Sequence, residues 1–171
     1  MHLDGPARDD RGGVGEGVLS PRTGAAMDST SVEPLALLAD ACIERRHGVL
    51  LVAGVPLPEV AARFGTPAYV YNADVIRRQY RALDAALAGT PHQICFAVKA
   101  NGNLGVLRVL RDLGAGADIV SAGELARAIA AGFDPAKIVF SGVGKRPDEL
   151  RAAARARIGH VNVESFDEVA A

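Results

Sequence analysis

Short apolar runs recur from Thr66 onward, and a helical pattern follows most of them. The runs lack polar alternation, which is typical of parallel strands buried on both faces. They recur at intervals of roughly 20 to 25 residues, as expected for strand–helix units. The predicted strands are residues 68–71, 94–98, 117–120, 138–140 and 161–163. The predicted helices are residues 73–87, capped by Asn72, 104–113, 121–131, closed by Gly132, and 147–156. This alternation predicts an α/β fold with a parallel sheet covered by helices.

The number of units limits how complete that sheet can be. A (β/α)8 barrel needs eight strand–helix units in about 250 residues. This chain has 171 residues and supplies about five predicted strands. The order of elements alone does not separate an incomplete barrel from an open sheet. Either arrangement places binding sites beyond the carboxyl ends of the strands.

The first 65 residues are less regular. The chain is divided into residues 1–31, 32–65 and 66–171. The first segment is rich in Gly, Pro, Ser, Asp and Arg, which predicts disorder. The second is predicted to lead into the α/β domain, with a helix over residues 34–46, a strand pair over 49–55 and a helix over 57–64 that Gly65 ends. The third carries the strand–helix units.

Charge and composition exclude several classes of function. The formal net charge is −1, and no basic stripe with interleaved aromatic residues is present, which argues against nucleic-acid and membrane-surface binding. No apolar run approaches the roughly 20 residues of a membrane helix, and the start of the chain is not a secretory signal. Cys42 and Cys95 are far apart, and the four histidines are scattered. We therefore expect a cytoplasmic protein with reduced thiols and no metal site.

Two glycine-rich turns fail the tests for phosphate-binding motifs. A P-loop that ends at Gly144-Lys145 would need glycine where Val139 stands, and serine or threonine where Arg146 stands. A dinucleotide fingerprint that begins at Gly114 meets Ile119 in place of its last glycine. Nucleotide binding is therefore not expected.

Lys99 appears where the apolar strand of residues 94–98 should end. Burying an ammonium group without a partner is costly. A lysine at this position therefore lies at the mouth of a pocket, forms an ion pair, or takes part in covalent chemistry. Desolvation favours the neutral amine, which is the form that condenses with a carbonyl group. The sequence predicts Lys99 as a Schiff-base lysine, with a salt-bridged structural lysine as the alternative.

Two acidic residues follow in the next unit. Asp118 lies inside an apolar strand, so it either accepts hydrogen bonds as a structural carboxylate or faces Lys99 from the neighbouring strand. Glu124 stands three residues after Ser121, a capping-box arrangement that explains it without any catalytic role. Ser165 and Glu168 repeat that arrangement near the end of the chain.

Three ordered motifs together resemble the diaminopimelate decarboxylase family. They are residues 96–101 (FAVKAN), 116–125 (GADIVSAGEL) and 141–145 (SGVGK). Residues 64–71 (FGTPAYVY) are also similar to the family, and the resemblance extends over about residues 48–171. It implies an alanine-racemase-like (β/α)8 barrel that binds pyridoxal 5′-phosphate, related to ornithine and arginine decarboxylases. The third motif favours the diaminopimelate branch over the ornithine branch.

The resemblance also implies roles for individual residues. Lys99 would form the Schiff base with pyridoxal phosphate, and Asp118 and Glu124 would support the cofactor electrostatically. The reaction would convert meso-diaminopimelate to L-lysine, the last step of lysine biosynthesis, in a cytoplasmic homodimer. The family's cofactor-stacking histidine, glycine-rich phosphate loop and second β-domain are not found in the sequence, so we expect an N-terminal part with little or no activity alone.

Three alternatives remain open at this point. The chain could belong to another decarboxylase of the group, which acts on ornithine, arginine or carboxynorspermidine. It could be a pyridoxal-phosphate-binding protein that does not catalyse decarboxylation. It could also be a truncated product without activity.

Overall fold

The computed structural model describes residues 42–170, which form two separate sheets and six helices. The first sheet is antiparallel, with strands β1 (Ile43–Arg46), β2 (Val49–Val52) and β3 (Val55–Pro56). The second is parallel, with strands β4 (Cys95–Ala97), β5 (Gly116–Ile119), β6 (Ile138–Phe140) and β7 (His160–Val161). The helices are α1 (Leu57–Phe64), α2 (Ala73–Ala86), α3 (Leu104–Asp112), α4 (Ala122–Ala131), α5 (Pro147–Ala156) and α6 (Phe166–Ala170). None of these helices is long and apolar enough to cross a membrane.

The parallel sheet has the strand order of consecutive barrel units. Its order is β4-β5-β6-β7, so each strand pairs with the next strand in the sequence. A doubly wound sheet instead reverses its order at a switch point, and that reversal is the feature on which its ligand sites depend. The α/β prediction is confirmed, and the unreversed order is that of part of a (β/α)8 barrel.

The two faces of this sheet differ in burial. On one face, the aligned residues Ala117 and Ile138 are fully buried, as are Ile119 and Phe140. These side chains share a core with α3 and α4, which contribute buried leucine, valine and alanine residues. Fully burying a side chain such as leucine or isoleucine contributes about 1.5–3 kcal/mol. This helix-covered face therefore holds most of the core.

The opposite face of the sheet is only partly buried. The aligned residues Ala97, Asp118 and Val139 all retain intermediate exposure. Facing positions of neighbouring strands point to the same side of a sheet, so these three side chains share this face. In a (β/α)8 barrel, the face turned away from the helices is the barrel interior. The sheet therefore departs from the sequence prediction that both faces are fully buried.

The predicted helix over residues 34–46 is wrong for its last part, because Ile43–Arg46 is a strand. Arg46 pairs with Val49 across a two-residue turn, His47-Gly48, whose φ angles are 49° and 81°. Positive φ at both central positions is the geometry of a type I′ hairpin turn. The turn therefore folds this segment back as a strand. Residues 34–41 of the predicted helix, and the predicted disorder of residues 1–31, lie outside the described residues.

The predicted strand over residues 68–71 is also wrong. This segment joins neither sheet, and its Tyr69 side chain is 92% exposed. Within residues 42–170 no strand pairs with it, so its β-forming residues have no ladder to complete. The remaining predicted strands are present, although β7 ends at Val161 and not at Val163.

The helix ends follow the local signals in the sequence. The Asn72 side chain accepts a hydrogen bond from the Asp74 amide at 2.9 Å and caps α2. Gly132 ends α4 with a φ of 87°, a left-handed conformation that glycine adopts without the steric cost of a Cβ atom. These caps are confirmed because each depends on residues close together in the sequence.

Candidate active site

The strand–helix connections at the carboxyl edge of the parallel sheet carry the residues predicted to be functional. Lys99 lies in a short 3-10 turn, Val98–Ala100, directly after β4. Ser121 follows β5, and Ser141 follows β6. Parallel strands bring these connections to one edge, which is where α/β proteins bind ligands. The structure places Lys99 and the two serines at this edge, and their role in a site stays a prediction.

Lys99 lies at the rim of an open cavity of about 460 Å³. The preceding residue, Val98, is 1% exposed and anchors the turn in the core, whereas Lys99 itself is exposed. The cavity is lined by Val98, Lys99, Gly102, Asn103, Glu124 and Arg127. Within residues 42–170, no hydrogen bond or ion pair engages the Lys99 amine. The amine is therefore accessible to a molecule that enters the cavity. It is exposed to solvent, whereas the sequence predicts that desolvation favours its neutral form.

The chain contains three lysines, and the structure distinguishes them. Lys145 has a fully buried side chain, and its Nζ lies 3.0 Å from Glu168 Oε2. Lys137 lies before β6, at the opposite edge of the sheet, and its Nζ donates a hydrogen bond to the Gly114 carbonyl at 3.2 Å. Only an unprotonated, accessible amine attacks a carbonyl group. Of the three, Lys99 is the lysine whose position suits covalent chemistry.

Glu124 joins Lys99 in the lining of the cavity. Its amide donates to Ser121 Oγ at 3.2 Å, so the predicted cap is present. Its carboxylate accepts a hydrogen bond from the Val120 amide at 2.8 Å, one residue earlier than the amide of Ser121 that a capping box would use. The carboxylate is thus fixed by the backbone at the edge of the cavity.

Asp118 lies one strand away, outside the lining of the Lys99 cavity. It is aligned with Ala97 on β4, and its carboxylate accepts a hydrogen bond from the Ser141 hydroxyl. Its charge also reaches Cys95: burial raises the pKa of the Cys95 thiol, and Asp118 raises it further. The structure therefore gives Asp118 a hydrogen-bonding role, and a direct approach to Lys99 stays a prediction.

Sequence reasoning missed Glu149, a buried carboxylate on α5. Its Oε1 accepts a hydrogen bond from the Ala122 amide at 3.0 Å, and its Oε2 accepts one from the Arg146 amide at 3.2 Å. These two bonds, the Ala122 bond first, lower the pKa of the Glu149 carboxyl group. A local pattern can show that Glu149 caps α5, because an acidic residue near the start of a helix is a capping signal. No local pattern can show its hydrogen bond with the Ala122 amide, which lies 27 positions away at the start of α4. Glu149 thus joins the starts of two successive helices at the site edge.

The Lys145–Glu168 ion pair was also missed. The Glu168 side chain is 10% exposed, and its carboxylate accepts a further hydrogen bond from the Glu164 amide at 2.9 Å. The Glu164 amide and then Lys145 lower the pKa of the Glu168 carboxyl group. The Glu168 amide donates to Ser165 Oγ at 3.3 Å, so this predicted cap is present. The pair ties the connection after β6 to the start of α6.

The residues of the cavity suit the aldehyde end of a pyridoxal cofactor. An accessible primary amine is the group that an aldehyde captures, and a backbone-anchored carboxylate stands in the same lining. The first amides of a helix often bind phosphate. At the start of α4 the Ala122 amide already donates its hydrogen bond to the Glu149 carboxylate, so it is not open to a phosphate group. The fit therefore rests on Lys99 and Glu124.

Comparisons with known proteins show the family of the chain. Residues 73–171 match the family model described as "Pyridoxal-dependent decarboxylase, pyridoxal binding domain". Diaminopimelate decarboxylase from Pseudomonas aeruginosa is 59% identical over 124 residues, which is 72% of this chain and 30% of that relative. The chain thus spans about a third of the length of the curated relatives it matches.

Solved structures share the fold. The structure of AQ1208 from Aquifex aeolicus has a TM-score of 0.73 and 45% identity, with 78% of this chain and 34% of that chain covered. Diaminopimelate decarboxylase from M. jannaschii, solved in a complex with L-lysine, has a TM-score of 0.71 and 35% identity, with 75% and 31% covered. The match of more than half the chain to one family model shows the relationship. The chain belongs to the family of pyridoxal-binding domains of pyridoxal-dependent decarboxylases.

Proposed function

We propose that Lys99 holds pyridoxal 5′-phosphate in this chain, and that the complete protein decarboxylates meso-diaminopimelate to L-lysine. The observation that carries the proposal is the unpaired Lys99 amine at the carboxyl edge of the sheet, in one cavity with Glu124. The family described by the matching model uses this cofactor, and its match covers this edge. Asp118, beside Ser141, supports the same site from the open face of the sheet.

The residues of this chain would act in distinct ways. Lys99 would hold the cofactor covalently at its aldehyde group, for which the amine must be accessible and unprotonated. Glu124 is held by the Val120 amide and would supply a fixed negative charge in the cavity that Lys99 lines. When bound, the cofactor supplies an electron sink for the electron pair that remains after carbon dioxide leaves. Asp118 and Ser141 hold each other on the face that would form the barrel interior.

The choice of diaminopimelate among the substrates of this group has two supports. Curated relatives that are 51–59% identical to this chain carry that name, and residues 141–145 resemble the diaminopimelate branch. We propose the cytoplasm as the location and a homodimer as the assembly, because the resemblance implies both. We also propose that residues 66–171 form the barrel part and that residues 32–65 lead into it.

A chimera tests the proposed activity. The matching residues of Pseudomonas aeruginosa diaminopimelate decarboxylase would be replaced by the corresponding residues of this chain. We expect the chimera to release carbon dioxide from meso-diaminopimelate far faster than from L-ornithine or L-arginine. The Lys99→Ala chimera should lose this activity, and the Lys137→Ala chimera should keep it. A folded chimera that prefers ornithine or arginine, or that is unaffected by Lys99→Ala, would contradict the proposal.

A further inference from the structure

Arg127 reaches from α4 to the loop that follows Lys99. Its Nη1 donates a hydrogen bond to the Gly102 carbonyl at 3.1 Å. Gly102 has no side chain, and a Cβ atom there would lie 3.3 Å from Arg127 Cδ. The aliphatic part of the arginine therefore packs against the bare glycine while its guanidinium holds the carbonyl. A hydrogen bond from a charged donor is stronger than one between neutral groups.

The other hydrogen bonds of this loop are local. The Asn101 amide donates to the Val98 carbonyl at 3.1 Å, and the Asn103 amide donates to Asn101 Oδ1 at 3.0 Å. These bonds shape the turn but do not fix it against the rest of the domain. The hydrogen bond from Arg127 instead joins residues 101–103 to α4, which is not the helix that this loop leads into.

Arg127 is not part of an ion pair within the described residues, and it is exposed. It lies three positions after Glu124 on α4, so the two side chains lie on one face of the helix. Both line the cavity that holds Lys99. One face of α4 therefore presents two groups to the cavity: the Glu124 carboxylate, which the Val120 amide holds, and the Arg127 guanidinium, which holds the Gly102 carbonyl.

We infer that Arg127 is a positioning residue for Lys99: by holding the Gly102 carbonyl it fixes the turn that presents the Lys99 amine to the aldehyde of the cofactor. This inference rests on the proposed function of Lys99. Attack on a carbonyl depends on the placement of the amine, and a displacement of about 1 Å can slow such a step about 100-fold.

The rate of covalent capture tests the inference. The whole chain would be mixed with pyridoxal phosphate, reduced with borohydride at successive times, and the labelled peptide that contains Lys99 quantified by mass spectrometry. We expect Arg127→Ala to slow labelling of Lys99 about tenfold, since the loop would lose its tie to α4. Arg127→Lys should restore part of the rate, because its ammonium can donate to the same carbonyl. Arg155→Ala, which removes an exposed arginine from α5, is the matched control and should leave the rate unchanged.

A thermal melt and a second variant separate positioning from general stability. We expect the melting temperature of Arg127→Ala to stay close to that of the unaltered chain, because the residue is exposed. Arg127→Gln keeps a polar side chain but is too short to reach Gly102, so it should slow labelling as Arg127→Ala does. Gly102→Ala would push against Arg127, and its effect on the rate should disappear in the Arg127→Ala background.

The two failures are distinguishable. Labelling of Lys99 at an equal rate in the unaltered chain, Arg127→Ala and Arg127→Gln would overturn the inference while leaving the proposed function intact. Absence of Lys99 labelling in the unaltered chain would overturn the proposed function itself. Slow labelling accompanied by a matching loss of folded protein in both variants would also overturn the inference, because it would assign Arg127 a purely structural role.

Discussion

The buried ammonium of Lys145 lies 3.0 Å from the carboxylate of Glu168, and this contact links the connection after β6 to the start of α6. The Lys145 Nζ also lies 5.9 Å from the centre of the Phe140 ring, a cation–π distance. Lys145 is thus engaged on two sides, whereas Lys99 stays accessible at the same edge of the sheet. This difference gives Lys145 a structural role and leaves the Lys99 amine open for the chemistry proposed above.

Removal of one partner of this ion pair should destabilise the domain. In Lys145→Met the Glu168 carboxylate would lose its cation in a poorly hydrated position, which costs more than the loss of an exposed pair. We expect the melting temperature to fall by about 5 °C or more. Arg155→Ala, which removes an exposed cation from α5, should change it by much less. Equal melting temperatures for Lys145→Met and the unaltered chain would contradict the structural role of Lys145.

Glu149 should make stability depend on acid pH. Its pKa is lowered in the folded state, so its contribution is present above the unfolded pKa of about 4.3 and is lost as the pH falls through the lower folded value. We expect Glu149→Gln to be less stable at neutral pH, because the amide replaces one acceptor with a donor that faces a backbone N–H group. Urea unfolding at several pH values measures this. A loss of stability in acid that is identical in both proteins would count against the assignment.

His92 should act in the opposite direction. Its ring nitrogens lie 2.8 Å from the Thr90 carbonyl and 3.0 Å from the Asp84 carboxylate. The Thr90 carbonyl and then Asp84 raise the pKa of His92, so its contribution is complete below the unfolded value of about 6.5 and is lost as the pH rises through the folded value. An NMR titration should place the His92 pKa higher than in Asp84→Asn. A titration that does not move in this variant would remove Asp84 as a cause.

Gly142 should not tolerate a side chain. A Cβ atom at this position would lie 2.7 Å from the Val120 carbonyl oxygen and 2.9 Å from its Cα, which are backbone atoms that cannot turn aside. We expect Gly142→Ala to lose about 1–3 kcal/mol of unfolding free energy. Gly123→Ala on α4 is the control, because its Cβ would meet only Ser121 Oγ at 3.8 Å and alanine favours a helix by about 0.5–1 kcal/mol. Chemical denaturation of both variants gives the comparison, and a neutral Gly142→Ala would show that β5 and β6 can separate at this point.

Local signals in the sequence predicted much of the fold and part of the site. The caps by Asn72 and Ser121 depend on residues two or three positions away, and the position of Lys99 follows from the end of an apolar run. The contacts of Glu149 with Ala122 and of Lys145 with Glu168 join segments more than 20 positions apart, so no local pattern shows them.

The errors have a similar origin. The first hairpin depends on a positive φ at His47, and a histidine does not by itself indicate a turn. The segment 68–71 has the composition of a strand, but a strand forms only where another strand pairs with it. Propensity alone could not show that this partner is missing from the described part of the chain.

The most direct measurement maps the lysine that pyridoxal phosphate modifies. The chain would be mixed with limiting cofactor, reduced with borohydride and digested, and the label on the peptides that contain Lys99, Lys137 and Lys145 would be compared. We predict that the label is concentrated on Lys99 and that Lys99→Ala abolishes the visible absorbance of the adduct, whereas Lys137→Ala does not. Label distributed equally over the three lysines, or concentrated on Lys145, would contradict the account.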